Sequence, residues 1–195
     1  MTVEISQVTE LRARTGAGLM AAKKAMEESS GDMDKAIELL RKAGAAKAAK
    51  KADREAKEGL VYSYIHGTGR VGVLLVLNCE TDFVARNEKF VNLAKDIAMH
   101  IAASDPEYLR IEDVPVEVIE KEKEIYIDIL RKEGKAEEML DKIAEGKLGK
   151  FYEERVLLNQ YFIKDDSKTI GQLIEEAISV LGEKIEISAF TRYSL

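Results

Sequence analysis

Between residues 71 and 103 the spacing of apolar side chains changes from that of a strand to that of a helix, across one short connection. Val71 to Leu77 is β-branched and leucine-rich, whereas Phe90, Leu93, Ile97 and Ile101 recur at helical intervals, and a change of period requires a change of backbone. The octet Thr81-Asp82-Phe83-Val84-Ala85-Arg86-Asn87-Glu88 must therefore hold the connection, which puts a bulky aromatic in a turn. Connections run over the surface. An exposed Phe83 with an acid before it is a rigid anchor for a partner's pocket, because aromatics concentrate binding energy once desolvated. The competing reading has Phe83 and Val84 fold back to seal the end of the core.

The rest of the chain sorts around this unit. Ile5, Val8 and Leu11 share a helical face that stops at Thr15-Gly16-Ala17-Gly18,. Leu19, Ala22 and Met26 face inward from a second helix, and Asp32 caps a third that carries Met33, Ile37 and Leu40,. Residues 1–43 are thus expected to form a three-helix head. Residues 44–57, rich in Ala, Lys and Arg without an apolar stripe, read as a solvated helical linker,. Residues 58–195 form the remaining α+β unit. In it, Gly59 to Ile65 and Arg70 to Cys79 flank the turn His66-Gly67-Thr68-Gly69, a hairpin signal,. Helices follow from Glu88 to Ala103, from Pro115 to Gly134, and from Ala136 to Asn159 with a break at Gly146 and Gly149; the last runs from Thr169 to Leu181,. Lys184 to Tyr193 alternates as a strand,. The expected class is α+β: a three-stranded antiparallel sheet covered by helices on one face. The other face, bearing some of Tyr62, Tyr64, Phe190 and Tyr193, then needs a cover, which a second copy would supply.

Chemistry-bearing residues are sparse. Cys79 is the only cysteine, which excludes an internal disulfide and thiolate metal clusters,. His66 and His100 fall in different elements and form no ligand or catalytic pairing,. Gly146-Lys147-Leu148-Gly149-Lys150 resembles a phosphate-binding loop in composition only, because Phe151 stands where a Ser or Thr would hold Mg²⁺,. The acids are scattered along helix faces rather than paired. No catalytic site, metal site or cofactor is expected, so the chain is read as acting by binding and not as an enzyme. The net charge of −6 divides unevenly: twelve basic against nine acidic residues in 1–57, eighteen against twenty-seven in the rest. Such a distribution does not suit specific nucleic-acid binding. No apolar run approaches the roughly 18 residues of a membrane span, and Met1-Thr2-Val3-Glu4-Ile5 is neither cationic nor apolar, so no membrane partner and a cytoplasmic location are expected.

Two stretches, Leu11-Arg12-Ala13-Arg14-Thr15-Gly16-Ala17-Gly18-Leu19-Met20-Ala21-Ala22-Lys23-Lys24-Ala25-Met26 and Asn78-Cys79-Glu80-Thr81-Asp82-Phe83-Val84-Ala85-Arg86-Asn87, resemble the two signatures of the translation elongation factor Ts family in its short bacterial form. Gln160-Tyr161-Phe162 and Glu183-Lys184-Ile185-Glu186-Ile187 resemble later landmarks in the same order. The resemblance implies a guanine-nucleotide exchange factor for elongation factor Tu, the GTPase that delivers aminoacyl-tRNA, with no nucleotide bound by the factor itself. It implies a ubiquitin-associated-like head whose Arg12, Thr15, Gly16, Gly18 and Met20 dock on the partner's G domain. It further implies a wedge, Thr81, Asp82, Phe83 and Val84, that disturbs the partner's Mg²⁺ site. Short members of the family are thought to pair, so a homodimer through the sheet and helices is implied too. Tyr161 departs from the family's frequent proline, whose ring would fix φ. The rival readings are a ubiquitin-associated-type adaptor and an RNA-associated ribosome factor that uses the Lys-rich linker.

Overall fold

The computed structural model describes residues 4–195; the opening stretch, in which no leader is expected, lies partly outside the described residues. The elements in chain order are α1 (Ile5–Thr15), α2 (Leu19–Glu28), α3 (Met33–Ala49), β1 (Glu58–His66), β2 (Val71–Cys79), α4 (Asp82–Ala85) and α5 (Glu88–Ser104). They continue with α6 (Val116–Lys132), α7 (Glu137–Arg155), β3 (Tyr161–Phe162), β4 (Asp165–Thr169), α8 (Ile170–Leu181) and β5 (Ile185–Ser194). The class is α+β.

The head closes on a small cluster in which Val8 and Leu11 of α1, Ala22, Ala25 and Met26 of α2, and Ala36 of α3 are buried. Asp32 caps α3 by accepting from the Lys35 N–H at 3.0 Å. The third helix runs on to Ala49, so the stretch expected to be a helical linker begins as its direct continuation, with one side lying against α8. The reason is tertiary. Gly44 is buried, and a Cβ there would lie 3.7 Å from the Ser179 Cβ and 3.8 Å from the Glu175 carbonyl. Small residues on α3 therefore let it lie close along α8. Around this seam the Arg41 guanidinium donates to the Ser167 hydroxyl at 2.9 Å and Lys51 Nζ to the Gly182 carbonyl at 2.6 Å.

The sheet is antiparallel in the order β1-β2-β5. Alternation along β2 buries Val73, Leu75, Leu77 and Cys79 against Phe90, Leu93, Ile97 and Ile101 of α5 and Ile170, Ile174 and Ile178 of α8. The register decides which of the aromatics stand on the open face. Tyr62 and Phe190 both pair with Leu75, and Tyr64 pairs with Val73; residues paired across strands share a face, so these three aromatics lie on the helix-covered side. Of the four, Tyr193, opposite Gly72, stands on the open side and is 73% exposed. Val61, Ile65 and Leu74 are exposed there with it.

The break expected at Gly146 and Gly149 is absent, since α7 continues unbroken from Glu137 to Arg155. Each interior glycine costs about 1 kcal/mol relative to Ala. Burial of Leu140, Ala144, Leu148 and Phe151 along one side of the same helix offsets this. Below α5, the buried His100 accepts from the Ile163 N–H at Nδ1 (3.3 Å), so its proton is on Nε2 and is donated to the Gln160 amide oxygen at 2.9 Å. The Gln160 amide nitrogen donates to the Glu154 carbonyl at 2.7 Å. This network ties α5 to the β3–β4 hairpin, which its polar strand β4 (Asp165–Thr169) concealed from alternation.

Candidate functional site

Two helix caps built into the octet set its shape. Thr81 has an extended backbone (φ −131°, ψ 155°), and its hydroxyl accepts from the Val84 N–H at 3.4 Å, which starts α4. Asn87, also extended, caps α5 by accepting from the Lys89 N–H at 2.9 Å. A second cap six residues after the first leaves room for one helical turn. On that turn Val84 and Ala85 pack against the core, so the opposite side points to solvent,. Phe83 is there and is 82% exposed. The two readings of the octet thus separate by residue: Val84 folds back against the core and Phe83 does not. Asp82 pairs with Arg86 at 3.2 Å, an exposed contact contributing little to stability,.

The stem under this turn is densely bonded. The Cys79 thiol donates to the Thr81 carbonyl at 3.1 Å. Burial, and then the nearby Glu183 charge, push that thiol up to about 11, so it stays protonated near neutral pH. The Glu183 carboxylate accepts from the backbone N–H groups of Glu80 (3.1 Å) and Thr81 (3.0 Å) and from the Thr81 hydroxyl (2.7 Å). Glu183, an acid following the glycine that ends α8, opens the stretch Glu183 to Ile187 noted above, but no local pattern points to its contacts, because its partners lie 102 and 103 positions away.

The head residues form a second exposed point. Gly16 takes φ 66°, the left-handed conformation that ends α1, and its N–H reaches the Arg12 carbonyl at 2.8 Å,. The Thr15 hydroxyl donates to the Leu11 carbonyl at 2.7 Å and accepts from the Ala17 N–H at 3.3 Å, while Arg12 Nε donates to the Ala17 carbonyl at 3.4 Å. Gly18 is the cap of α2. Arg12, Thr15, Gly16 and Gly18 are thereby bound into one loop, from whose edge Met20 projects, 74% exposed. A groove of about 300 Å³ is lined by Gly16, by Lys89 and Asn92 of α5, and by Ala177 and Val180 of α8. The head loop therefore opens beside the helix that follows the octet, although Met20 and Phe83 remain separate apolar points.

Among the described residues no group of three or more His, Cys, Asp or Glu side chains is placed to hold a metal ion, and no helix is long and apolar enough to cross a membrane. The arrangement suits insertion: an apolar ring on a stem whose polar groups are satisfied within the subunit.

A family model described as elongation factor TS matches residues 4–195. Elongation factor Ts of Desulforamulus reducens is 56% identical over 193 residues, spanning 99% of this chain and 89% of that protein. The proteins of the same description from Thermosipho melanesiensis and Fervidobacterium nodosum are 55% and 53% identical, covering 96% and 100% of this chain and 96% and 99% of their own lengths.

Proposed function

The chain belongs to the elongation factor Ts family, and from that premise we propose that it is a guanine-nucleotide exchange factor for elongation factor Tu that opens its partner mechanically. The observation that carries the proposal is the Phe83 ring, 82% exposed on a one-turn helix whose base is held within the subunit. Thr81 caps that turn, Asp82 fixes the approach, Val84 anchors it from beneath, and Phe83 enters between helices of the partner. The shift disturbs the partner's Mg²⁺, an ion that supplies much of the local charge holding the diphosphate. The loop of Arg12, Thr15, Gly16 and Gly18, with Met20 at its edge, docks on the partner's G domain.

Exchange of this kind needs no bond made or broken by this chain, and no nucleotide bound to it. If the factor disfavours the GDP-bound state, linkage requires GDP to disfavour the factor by the same free energy; a ternary complex then lets each ligand expel the other and GTP reload. The work is done in the cytoplasm by a homodimer, whose second copy covers the apolar open sheet face at Val61, Ile65, Leu74 and Tyr193. The test is to mix the purified chain with elongation factor Tu carrying fluorescent GDP. Accelerated, concentration-dependent release is expected, and release at the intrinsic rate would refute the reading.

A further inference from the structure

We propose that Glu183 is the positioning residue of the Phe83 turn, holding the ring's base rigid through Thr81; this rests on the exchange reading above. The backbone ladder between β2 and β5 has its last pair at Cys79 and Ile185. Beyond it the two strands diverge, and carboxylates make the next connections in both directions. Glu80 Oε1 accepts from the Lys184 N–H at 2.6 Å, and Glu183 Oε2 accepts from the N–H groups of Glu80 and Thr81 at 3.1 and 3.0 Å. Arg54 lies 3.2 Å from the other oxygen of Glu80 and balances its charge. The Lys184 N–H is the leading reason that the Glu80 carboxyl titrates below its usual range.

The decisive contact is the remaining oxygen of Glu183, which accepts from the Thr81 hydroxyl at 2.7 Å. A hydroxyl has one proton and two lone pairs. With its proton committed to Glu183, Thr81 turns a lone pair toward the Val84 N–H, the amide immediately after Phe83. The carboxylate therefore acts twice, clamping the backbone where the turn begins and orienting the cap that starts it. Both functions precede Phe83 in the chain of contacts, and neither touches the ring. An inserting side chain transmits force only as well as its base resists it, so a loosened base lets the ring yield instead of the partner. Loss of Glu183 should then lower the maximal rate of release with little change in docking.

Glu183→Gln separates the two functions. An amide oxygen can still accept from the two backbone N–H groups, but its NH₂ meets the Thr81 hydroxyl as a donor and turns the hydroxyl proton away, toward the cap. Measured with elongation factor Tu and fluorescent GDP, E183Q is expected to lower the saturating release rate roughly tenfold, within the usual span of a coupling between sites, at nearly unchanged half-saturation. T81S, which keeps the hydroxyl, should lose less of the release rate than T81V. T81V should match E183Q, and E183Q should slow F83A no further. Hydrogen exchange on the chain alone supplies a readout free of the partner: the Val84 amide should lose protection in E183Q while those of Glu80, Thr81, α5 and β5 keep theirs. The proposal is overturned if E183Q raises half-saturation at an unchanged maximal rate, if it slows the F83A variant as much as the parent, or if protection falls throughout the core or nowhere. A parent chain that does not accelerate release defeats the exchange reading alone, and the amide protection still decides the clamp.

Discussion

Phe83 and Phe90 lie seven residues apart, and truncating each to Ala should have opposite consequences. Phe90 on α5 is fully buried in the core. Phe90→Ala removes a large ring from a close-packed site and should destabilise the fold by about 3–5 kcal/mol. At about 2–4 °C per kcal/mol for a chain of this size, the melting temperature falls by roughly 6–20 °C. Phe83 is 82% exposed, so its own subunit covers under a fifth of its surface. Full burial of such a ring contributes about 1.5–3 kcal/mol, so Phe83→Ala should cost about 0.5 kcal/mol and shift melting by only about 1–2 °C. The functional loss should run the other way. A ring that supplies a coupling of about 1–3 kcal/mol between factor and GDP leaves release slower by roughly 5- to 150-fold when it is removed. Thermal melts followed by circular dichroism, with GDP release measured on the same samples, separate the two effects, and a docking titration should show F83A impairing exchange more than binding. Melting of F83A displaced as far as that of F90A would show the ring to be a packing residue. Release by F83A equal to the parent's would remove the wedge from the mechanism.

Gly59 has φ 145°, where an added Cβ would sit 2.1 Å from the Leu77 carbonyl oxygen, so Gly59→Ala should force β1 from β2 and cost about 3 kcal/mol or more in denaturant unfolding,; a change under about 1 kcal/mol would show that the strand start can relax. Burial holds the His100 imidazole below its ordinary value of 6.5. Its contribution is therefore full above that value and is lost as the pH falls below it, because the unfolded chain takes up the proton first. The stability difference between the parent and His100→Gln should be constant above pH 6.5 and shrink on acidification; a gap that is independent of pH would contradict this. Leu74→Glu, on the open sheet face, should leave the monomer's fold intact and reduce the particle seen by light scattering to 21.8 kDa,. A parent already at that mass would refute pairing through the sheet.

Local rules were enough for much of this molecule. The two β-hairpin strands around His66 to Gly69, the Asp32 cap, the helical spacing from Phe90 to Ile101 and the alternation of the last strand were legible because each is a nearest-neighbour or single-period pattern. The octet's place on the surface was legible for the same reason. Whether its ring faces in or out was not, since that depends on Thr81 and Asn87 both capping and on Val84 and Ala85 finding the core. Local pattern failed where distant segments decide. The Ala- and Lys-rich stretch is solvated over most of its length, but its contact with α8 was hidden because it runs through Gly44, which has no side chain to register in an apolar pattern and matters only because α8 lies against it. The glycines of α7 looked like a break because propensity is local, whereas the burial that outweighs it is not. The placement of Tyr62, Tyr64 and Phe190 depended on strand register, which no single strand contains. The sequence alone thus determined which segments are helix or strand, and through its signatures the family; the tertiary structure decided which faces meet and that Glu183, a hundred residues away, holds the exposed turn. Periodicity is a property of neighbours along the chain, and a clamp is a property of neighbours in space.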